Sequence, residues 1–346
     1  MEALWFCLVA VMIAGYVVLD GFDIGAGIIH RLVARNEAER QIVLRSIGPV
    51  WDGNEVWLLA AGGTLFFAFP ALYASSFSGF YLPLMVVLWL LILRGISIEL
   101  RNHIDSPVWK PFWDTGFMLS STLLAIFFGA ALGNVIRGVP LDSSGVFFLP
   151  LWTDFGIGGQ LGILDWYTVP VGVLALLALT QHGALWVALK TEGALQRRAA
   201  RTASVAWIGV VVMTVLATVL TMRVQPQAPA NLAAHPWGYI FPALAICGLL
   251  AILARGHGRR ERLGFLGSCA YLVGMLTSAA FGVFPYVLPG RPDAALGLTI
   301  HNAATSRYGL TVGLMWFIPG MLLALGYMVF TYRHFAGKVR AEEEGY

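Results

Sequence analysis

Long apolar stretches dominate this sequence and restrict the folds that it can adopt. Only 12% of the 346 residues are charged, about half the share found in soluble domains. Since a helix needs about 20 mostly apolar residues to cross a bilayer core, we predict an all-α integral membrane protein with about nine transmembrane helices. The predicted spans are Leu4–Ile29, Ile47–Phe69, Ala74–Leu93, Gly116–Ile136, Trp166–Leu189, Ser204–Thr221, Trp237–Ala254, Gly264–Val287 and Gly309–Tyr332.

The basic residues predict how these spans are oriented. Seventeen of the 22 lysine and arginine residues follow odd-numbered spans, and four lie in the even-numbered connections. Cytoplasmic loops carry the excess of lysine and arginine, so the N-terminus is predicted outside and the C-terminus in the cytoplasm. The sixth and seventh spans are short, which leaves eight spans as the alternative, but removing one would scramble the charges of the later loops.

The whole chain, residues 1–346, is predicted to form a single membrane domain. A weak internal similarity links Asp20–Gly21 to His182–Gly183, because each pair precedes a basic linker. This similarity suggests a tandem of four-helix units. The suggested units are residues 1–140 and 165–290, with an extra helix at 309–332.

Ionisable residues inside membrane spans are costly and are usually functional, and here they concentrate in the first three predicted spans. Asp20 and Asp23 lie three residues apart, on one face of a helix. Asp52 and Glu55 repeat that spacing at the start of the second span. The remaining two ionisable residues, at the end of the third span, are Arg94 and Glu99.

The predicted orientation brings these residues to the cytoplasmic third of the membrane. Five carboxylates from three helices then converge on that zone, and Arg94 can offset one or two of them. Two interpretations follow. The carboxylates form a chain that relays protons from the cytoplasm, or they form an interfacial network of ion pairs that anchors the helix ends.

Histidine and cysteine positions argue against a redox centre in this chain. His182 is the one histidine well inside a predicted span, whereas haem b in a helix bundle commonly takes two axial ligands. We therefore expect no haem or metal to be held by this chain alone, and His182 to be a hydrogen-bonded bundle residue. The three cysteines lie in apolar runs without metal-ligand spacing. No nucleic-acid partner is expected.

Small and aromatic residues flank the acidic pairs. Gly21 and Gly25 have the spacing that lets membrane helices approach closely. Trp51 directly precedes Asp52, which indicates a flat pocket with a polar edge. Trp57, in contrast, is also typical of an ordinary membrane interface.

These motifs resemble subunit II of the cytochrome bd-type quinol oxidases, in the same order along the first 140 residues. Arg94 and Glu99 fit an arginine–acid pair of that family. Beyond residue 140 the resemblance rests on span count, length and loop pattern. The matching motifs are Leu19–Gly25, Arg45–Ile47, Trp51–Trp57, Phe77–Tyr81, Gly133–Asn134 and Gly138–Pro140.

The resemblance implies nine spans arranged as two four-helix bundles and a peripheral helix, in the inner membrane of a bacterium. It implies a tight heterodimer with subunit I, which carries b-type haems, haem d and the site of quinol oxidation. The complex reduces O₂ to water in the respiratory chain and draws protons from the cytoplasm. A structural quinone in this chain, a small accessory subunit and bound lipid are further expectations.

The resemblance also ranks the site residues. Glu55 ranks lower because the family tolerates an uncharged residue there, and Glu99 is one methylene longer than the expected aspartate. The candidates for the proton route are Asp20, Asp52 and Glu99, supported by Asp23 and Arg94, with Glu55 last. The candidates for a quinone pocket or for helix packing are Trp51, Asn54 and Trp57.

Two other classes of protein fit parts of the sequence. A secondary transporter would explain nine spans and buried acids, although transporters usually have broken helices at the midplane of the membrane. A purely structural partner subunit would explain why redox ligands are missing.

Overall fold

The computed structural model describes residues 1–254 and 260–339, and helices make up most of them. The predicted all-α class is confirmed. The α-helices in the described residues are α1 Glu2–Val33, α2 Glu37–Ile47, α3 Trp51–Ala68, α4 Pro70–Gly79, α5 Tyr81–Leu100, α6 Trp109–Arg137, α7 Thr168–Lys190, α8 Gly193–Val224, α9 Gln227–Ala234, α10 Ile240–Ala254, α11 Glu261–Val283 and α12 Arg307–His334.

Eight of the described helices are long and apolar enough to cross a membrane, and the number rises to nine if α3 and α4 count as one span. These two helices meet at 120°, because Pro70 occupies the first turn of α4. Proline lacks the amide hydrogen that would continue the preceding helix, but it fits at a helix start. The count therefore agrees with the prediction of about nine spans.

The predicted bounds of the second and third spans are wrong. The second span starts at Trp51 rather than Ile47, since residues up to Ile47 belong to the separate helix α2. The third span is α5, which begins seven residues later than predicted, because α4 takes up residues 70–79. This shift moves Arg94 from the end of a span into the interior of α5.

Helix α1 lies at the centre of the bundle and packs against α3, α6, α7 and α11. A Cβ atom on Gly25 would overlap the carbonyl of Leu179 and the backbone of Gly183, both in α7. The absence of side chains lets the two helix backbones touch, as small residues do in membrane bundles. The close helix approach predicted from the Gly21–Gly25 spacing is confirmed at Gly25.

One end of the bundle is covered by the connections that precede α7 and α12. Strand β1, Tyr286–Leu288, pairs antiparallel with β2, Leu298–Thr299. Short 3₁₀ turns at Pro236–Tyr239 and Ala294–Leu296 complete the irregular segments. Phe147 and Ile300 belong to the apolar cluster that these connections bury.

Helix α12 corresponds to the predicted extra helix, and Leu310 is its one buried residue. The tandem halves and the arrangement as two four-helix bundles stay predictions, and so does the orientation in the membrane. Three of the basic residues that support the orientation, and the C-terminus itself, lie outside the described residues. Those three are Arg255, Arg259 and Arg340.

Candidate functional site

A buried ion-pair cluster joins α1, α3 and α5. Arg94 of α5 is fully buried and donates from Nη1 to Asp20 Oδ1 at 2.7 Å. Its Nη2 donates to Glu55 Oε2 at 3.0 Å. Asp20 is also fully buried, whereas a quarter of the Glu55 side chain is exposed. One guanidinium thus bridges a buried and a partly exposed carboxylate.

Asp23 lies one turn along α1 and is held by a second set of hydrogen bonds. Asn54 Nδ2 donates to Asp23 Oδ2 at 2.7 Å, and the Tyr332 hydroxyl donates to Asn54 Oδ1 at 2.8 Å. Because the Tyr332 hydroxyl binds the carbonyl oxygen of the Asn54 side chain, the NH₂ group of that side chain must face Asp23. Helix α12 therefore helps to orient a side chain beside the cluster, although Leu310 is its one fully buried residue.

Several polar atoms of this cluster have no hydrogen-bond partner among the described residues. They are Asp20 Oδ2, Asp23 Oδ1, Arg94 Nε and the hydroxyl of Tyr16. Buried polar atoms are nearly always hydrogen-bonded, so each exception needs an explanation. In addition, the cluster holds three carboxyl groups, those of Asp20, Asp23 and Glu55, and one guanidinium, so full ionisation would leave a net negative charge. A buried cluster of this kind becomes more stable when it takes up protons or water.

Asp52 and Glu99, which the sequence places in the same zone, lie on the surface of the chain instead. Both side chains are exposed. Asp52 precedes Glu55 by three residues, and its charge acts on Glu55. The expected convergence of five carboxylates on the cytoplasmic third of the membrane stays a prediction, and the buried cluster itself holds fewer of them. Three of the five carboxylates lie together: Asp20 and Glu55 contact Arg94, and Asp23 lies one turn along α1 from Asp20. Asp52 lies at the exposed edge of this group.

The three quinone-pocket candidates do not share one pocket. Trp51 lines a pocket of about 360 Å³ between α2 and the end of α5, together with Glu99 and His103. Asn54 is buried beside Asp23. Trp57 packs on Gly15 and donates from Nε1 to Met328 Sδ at 3.1 Å, so its contacts are those of a helix-packing residue.

A second buried ionic network, which the sequence reasoning missed, ties together the ends of α1, α2, α5 and α6. Asp114 is fully buried and accepts from Arg101 Nε at 2.6 Å, and His30 Nε2 lies 2.6 Å from the same carboxylate. Arg101 also reaches Glu37 at 3.0 Å. An available signal was Asp114 itself, an acid next to a predicted span.

Arg101 stays charged within this network. Burial lowers the pKa of its guanidinium, but hydrogen bonds to Asp114 and Glu37 outweigh burial and hold the pKa above its usual value. A permanent charge that is saturated with acceptors serves to anchor helix ends. The interpretation as an interfacial ion-pair network, which the sequence left open for the first cluster, describes this second network well.

His182 is a hydrogen-bonded bundle histidine, as predicted. Its Nδ1 lies 2.7 Å from Ser268 Oγ and its Nε2 lies 2.9 Å from the carbonyl oxygen of Val18. Both ring nitrogens are therefore engaged. The other fully buried histidine in the described residues, His30, is bound to Asp114. Neither residue fits the role of a free axial ligand for haem.

Fold and site together define a polytopic helical membrane protein with a cluster of three carboxyl groups and one arginine beside its central helix. The comparisons with known proteins give a more specific assignment. The family model described as cytochrome bd terminal oxidase subunit II matches residues 1–335. The chain belongs to this family, and it is therefore the subunit II type of chain in a terminal quinol oxidase complex.

Curated relatives match over nearly their full length. The probable cytochrome oxidase subunit 2 of Haemophilus influenzae is 33% identical, covering 98% of this chain and 95% of the relative. The cytochrome bd-I ubiquinol oxidase subunit 2 of Escherichia coli K12 is 30% identical with the same coverage. The cytochrome bd ubiquinol oxidase subunit 2 of Bacillus subtilis is 31% identical, covering 98% and 97%.

A solved structure shares the fold. The bd oxidase from Geobacillus thermodenitrificans superposes with a TM-score of 0.73 at 19% identity, and the alignment covers 96% of this chain and 98% of that chain. At this identity the likeness concerns the fold alone. It agrees with the confirmed all-α membrane architecture.

Proposed function

We propose that this chain supplies part of the cytoplasmic proton-uptake route of a quinol:O₂ oxidoreductase and stabilises the haem-bearing subunit I. Membership of the family implies a partner subunit I, and relatives are named as ubiquinol oxidase subunits. Reduction of O₂ to water consumes protons as well as electrons. In this assignment quinol oxidation and the haems, b and d, belong to the partner, and this chain handles protons.

The observation that carries the proposal is the ion pair between Asp20 and Arg94, with Glu55 on the other side of the guanidinium. A permanent positive charge beside several carboxylates lowers the cost of holding negative charge in the membrane. It does not cancel that charge, so the cluster can accept protons. A structural ion pair needs no excess of carboxylates.

Side-chain exposure suggests an order for the proton steps. Asp52 is exposed, Glu55 is one quarter exposed and Asp20 is fully buried. A proton taken up at Asp52 passes to Glu55 and then to Asp20, whose Oδ2 has no hydrogen-bond partner among the described residues. Arg94 keeps its own proton and holds both acceptor carboxylates in place.

Glu99 and Trp51 lie outside this sequence of proton steps. They line the same 360 Å³ pocket, whose volume lies within the range of small-molecule sites. The flat ring of Trp51 and the polar group of His103 suit a quinone ring and its carbonyl oxygen. We assign the expected structural quinone to this pocket, with Glu99 at its edge.

The experiment that tests the proposal compares two acids, each of which pairs with a buried arginine. Asp20→Asn keeps shape and hydrogen bonding but cannot carry a proton. We expect quinol-driven O₂ consumption per haem to fall about 10²-fold, which corresponds to about 2.7 kcal/mol of barrier. The haem content of the purified complex should stay near that of the wild type, since Glu55 still faces Arg94.

The matched control is Asp165→Asn, at the buried ion pair with Arg137. We expect a lower yield of complex and unchanged activity per remaining haem. Unchanged activity per haem in Asp20→Asn would contradict the proton route and leave the chain as a purely structural partner subunit. A chain that moves solute without a haem-containing partner would instead indicate a transporter.

A further inference from the structure

A second, larger pocket lies where the end of α7, the start of α11 and the end of α12 meet. Its volume is about 720 Å³. Three aromatic rings line it, those of Trp186, Phe265 and Tyr332. Trp186 and Phe265 lie 5.1 Å apart between ring centroids, so the wall is continuous and apolar. None of the steps proposed above uses this pocket.

Four cationic side chains line the same pocket against one carboxylate. Lys338 pairs with that carboxylate, Glu261, at 2.6 Å. Lys190 Nζ donates to the carbonyl oxygen of Phe335 at 2.6 Å and lies 5.2 Å from the centroid of the Trp186 ring. The remaining two cations, which are exposed and have no ion pair with any described residue, are Arg260 and Arg262.

We propose that this pocket binds the headgroup of an anionic phospholipid. The four cations leave a net positive charge that a phosphate group would offset, and the helix ends that form the pocket lie at a membrane surface. Basic pockets between membrane helices bind anionic headgroups in this way. The aromatic wall gives the upper part of an acyl chain an apolar surface. A soluble anion would gain nothing from that wall.

The aromatic wall lies directly behind the carboxylate cluster. Phe22, between Asp20 and Asp23 in α1, stacks on Trp186 with ring centroids 4.0 Å apart. Tyr332, another part of the wall, donates the hydrogen bond that orients Asn54. A bound lipid would therefore support the packing on which the cluster rests. The lipid proposal itself does not depend on the proton route, because its test measures binding.

The test uses the purified complex and phosphatidylglycerol, with phosphatidylcholine as the neutral comparison. Binding is measured by titrating each lipid into delipidated complex and counting bound lipids by native mass spectrometry. The test variant is Arg260→Gln/Arg262→Gln. The control variant is Arg197→Gln/Arg201→Gln, which removes two exposed charges of α8 that do not line the pocket.

We expect wild-type complex to prefer phosphatidylglycerol. Since the test variant lacks two of the four cations that attract the anionic headgroup, it should bind this lipid roughly 30-fold more weakly. The control variant should bind as the wild type does. Equal affinity for the two lipids, or equal binding by wild type and test variant, would overturn the proposal.

Two further outcomes would assign the pocket to another occupant and also overturn the proposal. Displacement of phosphatidylglycerol by millimolar inorganic phosphate would make it a site for free anions. Binding that appears only after deletion of residues 340–346, which include Glu342–Glu344, would assign the pocket to the acidic end of the chain.

Discussion

Two buried arginines in this protein have opposite surroundings. Arg137, at the end of α6, donates to Asn134 Oδ1 at 2.6 Å and to the carbonyl of Gly162 at 3.1 Å, and it forms an ion pair with Asp165. Asp165 in turn accepts the backbone amides at the start of α7. Every side-chain nitrogen of Arg137 has a partner, and one carboxylate balances its charge.

Arg94 is equally buried but belongs to a cluster in which several polar atoms have no hydrogen-bond partner among the described residues. It faces Asp20 and Glu55, its Nε has no hydrogen-bond partner among the described residues, and a third buried acid, Asp23, lies one turn along α1 with its hydrogen bond from Asn54. The comparison teaches that a buried arginine–carboxylate pair does not by itself indicate function. The balance of charges and the unsatisfied atoms separate a structural clamp from a group that can bind protons.

The largest effect is expected from breaking the saturated pair. Arg137→Gln leaves Asp165 buried without its counter-charge, which typically costs about 3–5 kcal/mol. We expect the yield of assembled complex to fall severely, because Arg137 holds the connection before α7 to the end of α6. Size-exclusion chromatography of detergent extracts, with haem absorbance as the signal, measures the yield.

Arg137→Gln differs from Asp20→Asn in the activity of the complex that still assembles. The complex that does assemble should consume O₂ at the wild-type rate per haem. A loss of rate per haem equal to that of Asp20→Asn would mean that the two arginine sites do not differ in function, and the comparison would fail.

A smaller effect separates Glu55 from Asp52, the two acids of α3. Glu55→Gln removes a carboxylate that contacts Arg94, so we expect roughly 10- to 100-fold slower O₂ consumption per haem. Asp52→Asn should cost less, about threefold to tenfold, because water can take over part of the role of an exposed group. Steady-state oxygen electrode measurements rank them. The reverse order would move the essential carboxylate from the buried cluster to the surface.

The smallest effect is expected at Tyr332, which positions Asn54 and does not itself carry protons. Tyr332→Phe removes the hydroxyl that fixes the amide, a hydrogen bond worth about 1 kcal/mol, so the rate per haem should fall about fivefold and the pH profile of the rate should shift. Tyr327→Phe, at an exposed position of the same helix, is the control. An unshifted pH profile in Tyr332→Phe would remove Tyr332 from the positioning role.

The helical fold was predictable because apolar length alone identifies membrane spans, and most spans fell where hydropathy placed them. The failure at the second and third spans has a physical cause. Residues from Thr64 to Leu93 are almost continuously apolar, so hydropathy cannot locate a boundary inside them. Pro70 marks where α4 begins. A helix start at this proline would have moved the third span towards later residues and so placed Arg94 inside it.

The candidate site was predictable in its members more than in its geometry. The sequence pointed to Arg94 as the partner of one or two acids, and the structure pairs it with Asp20 and Glu55. It could not show which side of α3 faces inward. Asn54 is buried and Asp52 is exposed, since residues two apart lie on nearly opposite sides of a helix. The rotation of α3 is set by its packing on α1.

The most direct test of the central claim asks whether the inner cluster exchanges protons when the complex turns over. Infrared difference spectra between the oxidised and quinol-reduced complex report carboxyl groups that gain or lose a proton. We predict a carboxyl C=O band that Asp20→Asn abolishes or shifts and that Asp165→Asn leaves unchanged. A spectrum in which Asp20→Asn changes no carboxyl band would show that the cluster keeps its protonation throughout, and the account of this chain as a proton carrier would be wrong.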